Sequence, residues 1–119
     1  MYRNYHEKVL TYYTFNIAWW RRQVGDSKKE LQDFVLPVLE FIEREVMAGH
    51  NVLVHCLAGA HRAGTTAILC LMHLAGLDSD KAITTARALR SMIQPIGDFR
   101  QLLTLCDGLD RGAGGKFVR

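Results

Sequence analysis

An apolar run, NVLVHC (51–56), stops at a small glycine-bearing segment, LAGAHRAG (57–64), which opens into TTAILCLMHLAG (65–76), apolar nearly all round. Few folds accommodate that order. The run is short and Val-rich and follows a Gly-His-Asn turn, so it reads as a fully buried strand. A helix without a polar face belongs in the middle of a domain. Strand, loop and central helix in succession predict an α/β core.

The flanks supply further elements. TYYTFNI (11–17) is aromatic and β-branched and reads as a second strand. WWRRQVGD (19–26) reads as a polar-basic loop. Ser27 and Glu30 have the spacing of a capping box, and Leu31, Phe34 (or Val35), Val38, Ile42 and Val46 then recur at helical spacing to about Gly49. Pro37 predicts a kink or a restart there, with Asp33 available to cap the second part. A third helix is expected from near Ser79, burying Ile83, Ala86, Leu89 and Ile93 and ending before Pro95. A fourth runs from about Asp98 through Phe99, Leu102, Leu105 and Leu109. One domain over 1–110 follows, with residues 111–119 (RGAGGKFVR) a flexible, Gly-rich basic tail.

Composition excludes several classes. With 119 residues, 49% hydrophobic and 23% charged, the chain suits a single globular domain and is a poor candidate for disorder. No stretch is long and apolar enough to span a bilayer, and MYRNYHEK at the start lacks the apolar core of a secretory signal, so the expected compartment is the cytoplasm, or alternatively the nucleus. The net charge of +3 is too small and too scattered to mark a nucleic-acid surface. The three cysteines, Cys56, Cys70 and Cys106, are expected as free thiols. Cys70 and Cys106 lie in apolar runs and read as core. No spacing supports a metal site or a cofactor.

Cys56 has different surroundings. A strand that ends in a glycine-bearing loop and enters a helix aims backbone N–H groups and a helix N-terminus at one point, which makes an anion site. Cys56 and Arg62 stand at the two ends of that loop, with five residues between them. The dipoles and the guanidinium favour the thiolate, so Cys56 is the expected nucleophile. The amides of Leu57, Ala58, Gly59, Ala60, His61 and Arg62 are the expected phosphate cradle. Arg62, planar and bidentate, is expected to follow two equatorial oxygens of a phosphoryl group through its transfer. His55 is the supporting residue, either hydrogen-bonding into the loop or simply a satisfied buried histidine.

His55-Cys56-Leu57-Ala58-Gly59-Ala60-His61-Arg62 matches the H-C-x-x-G-x-x-R signature of the protein tyrosine phosphatase superfamily, and VLVHCLAGAHRAG most resembles its dual-specificity branch. FNIAWW resembles the strand entering that family's acid loop. LQDFVLPVLEFIEREVMAGHNVLVHC resembles the helix and strand before the signature, and Gln94-Pro95-Ile96-Gly97-Asp98-Phe99 the turn before the last helix. Together these cover most of residues 12–109. The resemblance implies a phosphatase-like core, with a small, mainly parallel sheet packed by about four helices. It also implies hydrolysis of phosphotyrosine, extending to phosphoserine/threonine, through a phosphocysteine intermediate without a cofactor.

Three departures stand out against that family. Ala63 replaces the Ser or Thr that normally follows the arginine and helps the thiolate leave, so turnover is expected to be limited by dephosphorylation of the enzyme, with Thr65 or Thr66 as partial substitutes. Trp19 and Trp20 stand where the general acid is expected. Asp26 is the best replacement, against the plainer reading of a helix-flanking turn residue; Asp33 and Glu30 are outsiders. The strands that normally precede the signature strand are missing, which leaves an edge open. Either a homodimer covers that edge or the upstream sequence lies outside this chain.

Phosphoproteins or other phosphomonoesters are the expected partners, with neither nucleic acid nor membrane. His61-Arg62 also resembles a plant and fungal group acting on inositol pyrophosphates, although that group has basic residues near positions 57, 58 or 60. WWRR suits the mouth of a phosphate site, or equally an irregular loop packed on the core. The competing readings are a feeble phosphate-binding pseudophosphatase and a structural or regulatory domain working through dimer contacts.

Overall fold

Ser27 opens the longest element. In the computed structural model, which describes residues 11–56, 61–95 and 97–119, its Oγ accepts from the Glu30 amide at 3.1 Å and donates to the Glu30 carboxylate at 3.0 Å. That capping arrangement starts α2, Lys28–Met47. A 3-10 turn, Ile17–Trp19, and a single helical turn, α1 (Trp20–Gln23), precede it. After it come α3 (Arg62–Leu74), α4 (Ser79–Leu89) and α5 (Asp98–Cys106), and a second 3-10 turn at Ala113–Gly115.

The central helix is where the sequence places it. Ile68, Leu69 and Met72 of α3 are fully buried, and α3 touches α2, α4, α5 and both 3-10 turns. Leu31, Val35, Leu36, Val38, Leu39 and Ile42 of α2 close one side of the core; Ala82, Ile83 and Ala86 of α4 and Leu102 and Leu103 of α5 complete it. At about 1.5–3 kcal/mol for each large aliphatic side chain taken from water, this shared core is the main source of stability.

Several expectations are corrected. α2 passes through Pro37 without a break: the buried residues on both sides of the proline outweigh its one missing hydrogen bond. Asp33 is no cap; it pairs with Lys29 and Arg119. Near its end, Val46 is exposed. α4 stops at Leu89, itself exposed, and Ile93 is buried from the turn beyond. Leu105 faces outward, and Leu103 and Cys106 take its place in the core.

The parallel sheet finds no ladder among the described residues, whose one β-type pairing is an isolated antiparallel bridge between Arg111 and Phe117. Residues 11–16 instead lay Tyr13 against Phe41 and Phe15 against Phe34, both on α2, before turning helical at Ile17. Residues 51–56 keep the alternation of a strand, with Val52 and Val54 packed on the core and Leu53 83% exposed. A ladder needs a neighbour at hydrogen-bonding distance, and neither segment offers one to the other.

The tail does not fray. Arg111 donates through Nη1 to the carbonyls of Met72 (2.8 Å) and Gly115 (2.6 Å) and through Nη2 to that of Leu77 (2.9 Å). Phe117 is 3% exposed, with the Arg111 guanidinium over its ring. Gly76, at φ +69°, lets the tail come this close: a Cβ there would lie 2.9 Å from the Gly114 carbonyl oxygen. Residues 111–119, expected as a flexible tail from their glycines, are anchored by the buried Phe117 ring.

Candidate active site

The segment 51–56 delivers Cys56 to the N-terminal end of α3. There the Ala63 amide, in the first turn of the helix, points at Cys56 Sγ from 3.3 Å. An unpaired helical N–H is available there because the first turn has no preceding carbonyls to bond. The sulfur thus lies where the positive end of the α3 dipole is strongest. Arg62 is the first residue of the same helix and is exposed, with no ion pair among the described residues. Cys56 and Arg62 are therefore brought to one helix end, as the spacing predicts.

The other sequence-predicted residues divide. His61 is the residue before the helix, and its Nδ1–H donates to the Gln94 carbonyl at 2.9 Å. His55 is described and exposed. Leu57, Ala58, Gly59 and Ala60, the expected phosphate cradle, lie outside the described residues, as do Ile96 and residues 1–10. Asp26 stands in an exposed bend ahead of α2, and among the described residues no hydrogen bond or ion pair joins it to Cys56 or Arg62.

Ala63, where a hydroxyl was expected, is buried. The substitutes suggested by sequence are otherwise engaged. Thr65 Oγ1 donates to the His61 carbonyl at 2.6 Å and Thr66 Oγ1 to the Arg62 carbonyl at 3.0 Å. Both hydroxyls are turned back along the helix. Gly64 is packed so closely on Ile93 that a Cβ would lie 3.1 Å from its Cγ2.

The WWRR segment is held by contacts that the sequence does not announce. Trp20 is buried, while Trp19 is half exposed with the Arg22 guanidinium 4.6 Å over its ring. Arg21 bonds the Asp98 carboxylate at 2.9 Å and also Gln101, which ties this turn to the start of α5. The one signal for it was the resemblance of residues 94–99 to a structured turn.

The remaining thiols behave as core. Burial pushes the Cys70 thiol up to about 11. Burial, aided by the neighbouring Asp107 charge, pushes Cys106 up to about 12. Among the described residues no cluster of three or more His, Cys, Asp or Glu could hold a metal ion, and no helix is long and apolar enough to cross a membrane.

A cysteine seated against the N-terminus of a central helix, with an exposed arginine opening that helix, places a thiol and a cation where a helix end favours negative charge. Residues 3–107 match the family described as dual specificity phosphatase, catalytic domain, and the chain belongs to that family. It is 36% identical over 80 residues to the dual specificity protein phosphatase Mpk3 of Drosophila melanogaster, covering 66% of this chain and 20% of that protein. The tyrosine-protein phosphatase vhp-1 of Caenorhabditis elegans is 36% identical over 80 residues, covering 66% of this chain and 12% of its own. Dual specificity protein phosphatase 22-A of Danio rerio is 30% identical over 94 residues, covering 79% of this chain and 42% of that one. The chain thus spans less than half the length of these relatives. No solved structure matches it.

Proposed function

We propose that this chain is the catalytic core of a cysteine-dependent protein phosphatase, acting on phosphotyrosine and on phosphoserine/threonine. The observation that carries the reading is the Ala63 amide aimed at Cys56 Sγ from 3.3 Å at the N-terminus of α3. An N–H dipole and a helix N-terminus both favour sulfur as the anion, the form that is nucleophilic. The thiolate attacks phosphorus in line, an S–P bond forms, and the P–O bond to the substrate breaks. Arg62 holds two equatorial oxygens and follows them as they become coplanar. The amides of residues 57–62 cradle the same oxygens, and His55 steadies their loop. Asp26 gives its proton to the leaving oxygen. Water then attacks phosphorus, the S–P bond breaks, and phosphate and free thiolate result.

Ala63 makes that second step slow. Ala63 offers no hydroxyl beside the departing sulfur, and those of Thr65 and Thr66 already donate to backbone carbonyls. Phosphoenzyme therefore accumulates, and a pre-steady-state burst of product precedes slower turnover. Equal rates in the two phases would remove this step from the account.

The test is hydrolysis of an aryl phosphate, phosphotyrosine, phosphothreonine and inositol phosphate panel by wild type, Cys56→Ser and Asp26→Asn. Activity on the phosphoamino acids that vanishes in Cys56→Ser supports the proposal; activity that survives it excludes Cys56 as nucleophile. Preference for inositol phosphates would shift the substrate class. A second reading, a phosphate-binding module with feeble turnover, is favoured by the same engaged threonines and by an exposed Asp26 that, among the described residues, makes no hydrogen bond or ion pair to Cys56 or Arg62. Phosphate binding with no hydrolysis in the wild type would select it. The proposed homodimer is tested by mass in solution at micromolar concentration, where a monomer would exclude it.

A further inference from the structure

The end of α3 that faces Cys56 is anchored to a different part of the chain, and the anchor is His61. Its carbonyl accepts twice from Thr65, from the amide at 2.9 Å and from Oγ1 at 2.6 Å, so its backbone is locked into the helix. Its ring reaches the other way, to the Gln94 carbonyl at 2.9 Å across 33 residues of sequence. A carbonyl oxygen only accepts, so the Nδ1 must carry the proton. Beside this bond Gly64 rests on the buried Ile93. The turn at 93–94 therefore grips both residues flanking Arg62 and Ala63, and Ala63 is the residue whose amide points at the sulfur.

We propose that His61 is a positioning residue for Cys56: its Nδ1–H bond to the Gln94 carbonyl holds the first turn of α3 in register with the sulfur. The amide dipole falls off steeply with distance and angle, so a small drift of this turn weakens the stabilisation of the thiolate. The effect of the ring on Cys56 is indirect, and the His61 side chain need not touch the substrate. The inference rests on the reading of Cys56 as a reactive thiolate, and the two fail differently.

The experiment measures the pH dependence of Cys56 alkylation by iodoacetamide, located by peptide mass spectrometry, in wild type, His61→Ala and His61→Asn. Asn places an N–H close to where the Nδ1–H was. The expected result is an acidic profile in wild type, a profile displaced to higher pH in His61→Ala with alkylation at pH 6 about fivefold slower, the size expected for one net hydrogen bond, and recovery in His61→Asn. An acidic wild-type profile that His61→Ala leaves unchanged overturns the positioning role alone. Loss in both variants also overturns it, because the ring rather than the hydrogen bond would then matter. An ordinary thiol profile in wild type overturns this inference and the thiolate reading together. Should His61→Ala not fold, the ¹⁵N shifts of the wild-type imidazole decide: a proton on Nδ1 is required, and a ring protonated only on Nε2 overturns the proposal.

Discussion

The two ends of α3 both carry polar clusters around a histidine, and they are built on opposite plans. At the C-terminal end, His73 is 2% exposed; its Nδ1 accepts from the Phe117 amide at 3.1 Å and its Nε2 donates to Glu43 at 2.7 Å. Glu43 also takes Lys116 at 2.5 Å, and Arg111 spends its donors on three backbone carbonyls. Each charged group there has a partner within the chain. At the N-terminal end Arg62 is exposed and makes no ion pair among the described residues, while an amide points at a thiol sulfur. A polar cluster whose charged groups are all paired within the chain closes a fold; one that leaves an arginine exposed at the helix end where an amide points at a thiol suits the proposed anion site.

Changes at the two ends should therefore separate stability from activity. The largest effect is expected from Phe117→Ala, which removes the ring shared by His73 and Arg111: a loss of about 3–5 kcal/mol, seen as a fall in Tm of roughly 10–20 °C, with activity retained at temperatures where the variant is folded. Activity lost in proportion to stability would join the two ends into one unit. Next comes Arg62→Ala, where kcat/KM should fall about 10²–10³-fold, the usual effect of deleting one transition-state donor, with Tm unchanged. A large fall in Tm would mean that Arg62 has a structural task.

Asp26→Asn follows. A general acid contributes about 10²–10⁴-fold, so the loss should appear with a poor alkyl leaving group and shrink with a good aryl one; equal effects on both would exclude Asp26 as the acid. The smallest effect belongs to Glu43. Its hydrogen bond from Lys116, assisted by His73, holds its carboxyl below the ordinary 4.5. A depressed folded value means this contribution is fully present above the unfolded value and is lost as pH falls through the lowered one. Glu43→Gln should lower stability by about 1 kcal/mol at neutral pH and flatten the loss of stability below pH ~4.5, as chemical denaturation across that range would show.

The helices were legible because their signals are local. Ser27 and Glu30 marked the start of α2, Gly76 the end of α3, and the Cys56–Arg62 spacing placed both residues at one helix end. What the sequence hid depends on distant partners. A run such as 51–56 becomes a ladder only beside another strand, and its alternation alone does not provide one. Phe117 looked like part of a loose tail because its pocket is built by His73 and Arg111, 44 and 6 residues away. Asp26 had the right place in the order of the chain, but sequence position does not fix whether a carboxyl faces the sulfur. His61 read as one more amide of the cradle; its tie to Gln94 needed coordinates.

Trapping the proposed phosphocysteine probes the chemistry at its decisive atom. Rapid acid quench of wild type with an aryl phosphate, followed by peptide mass spectrometry, should find one phosphoryl group on sulfur in the peptide containing Cys56, in near-stoichiometric amount, and none in Cys56→Ser. Hydrolysis proceeding at full rate with that peptide unmodified, or with phosphate on another residue, would contradict the account.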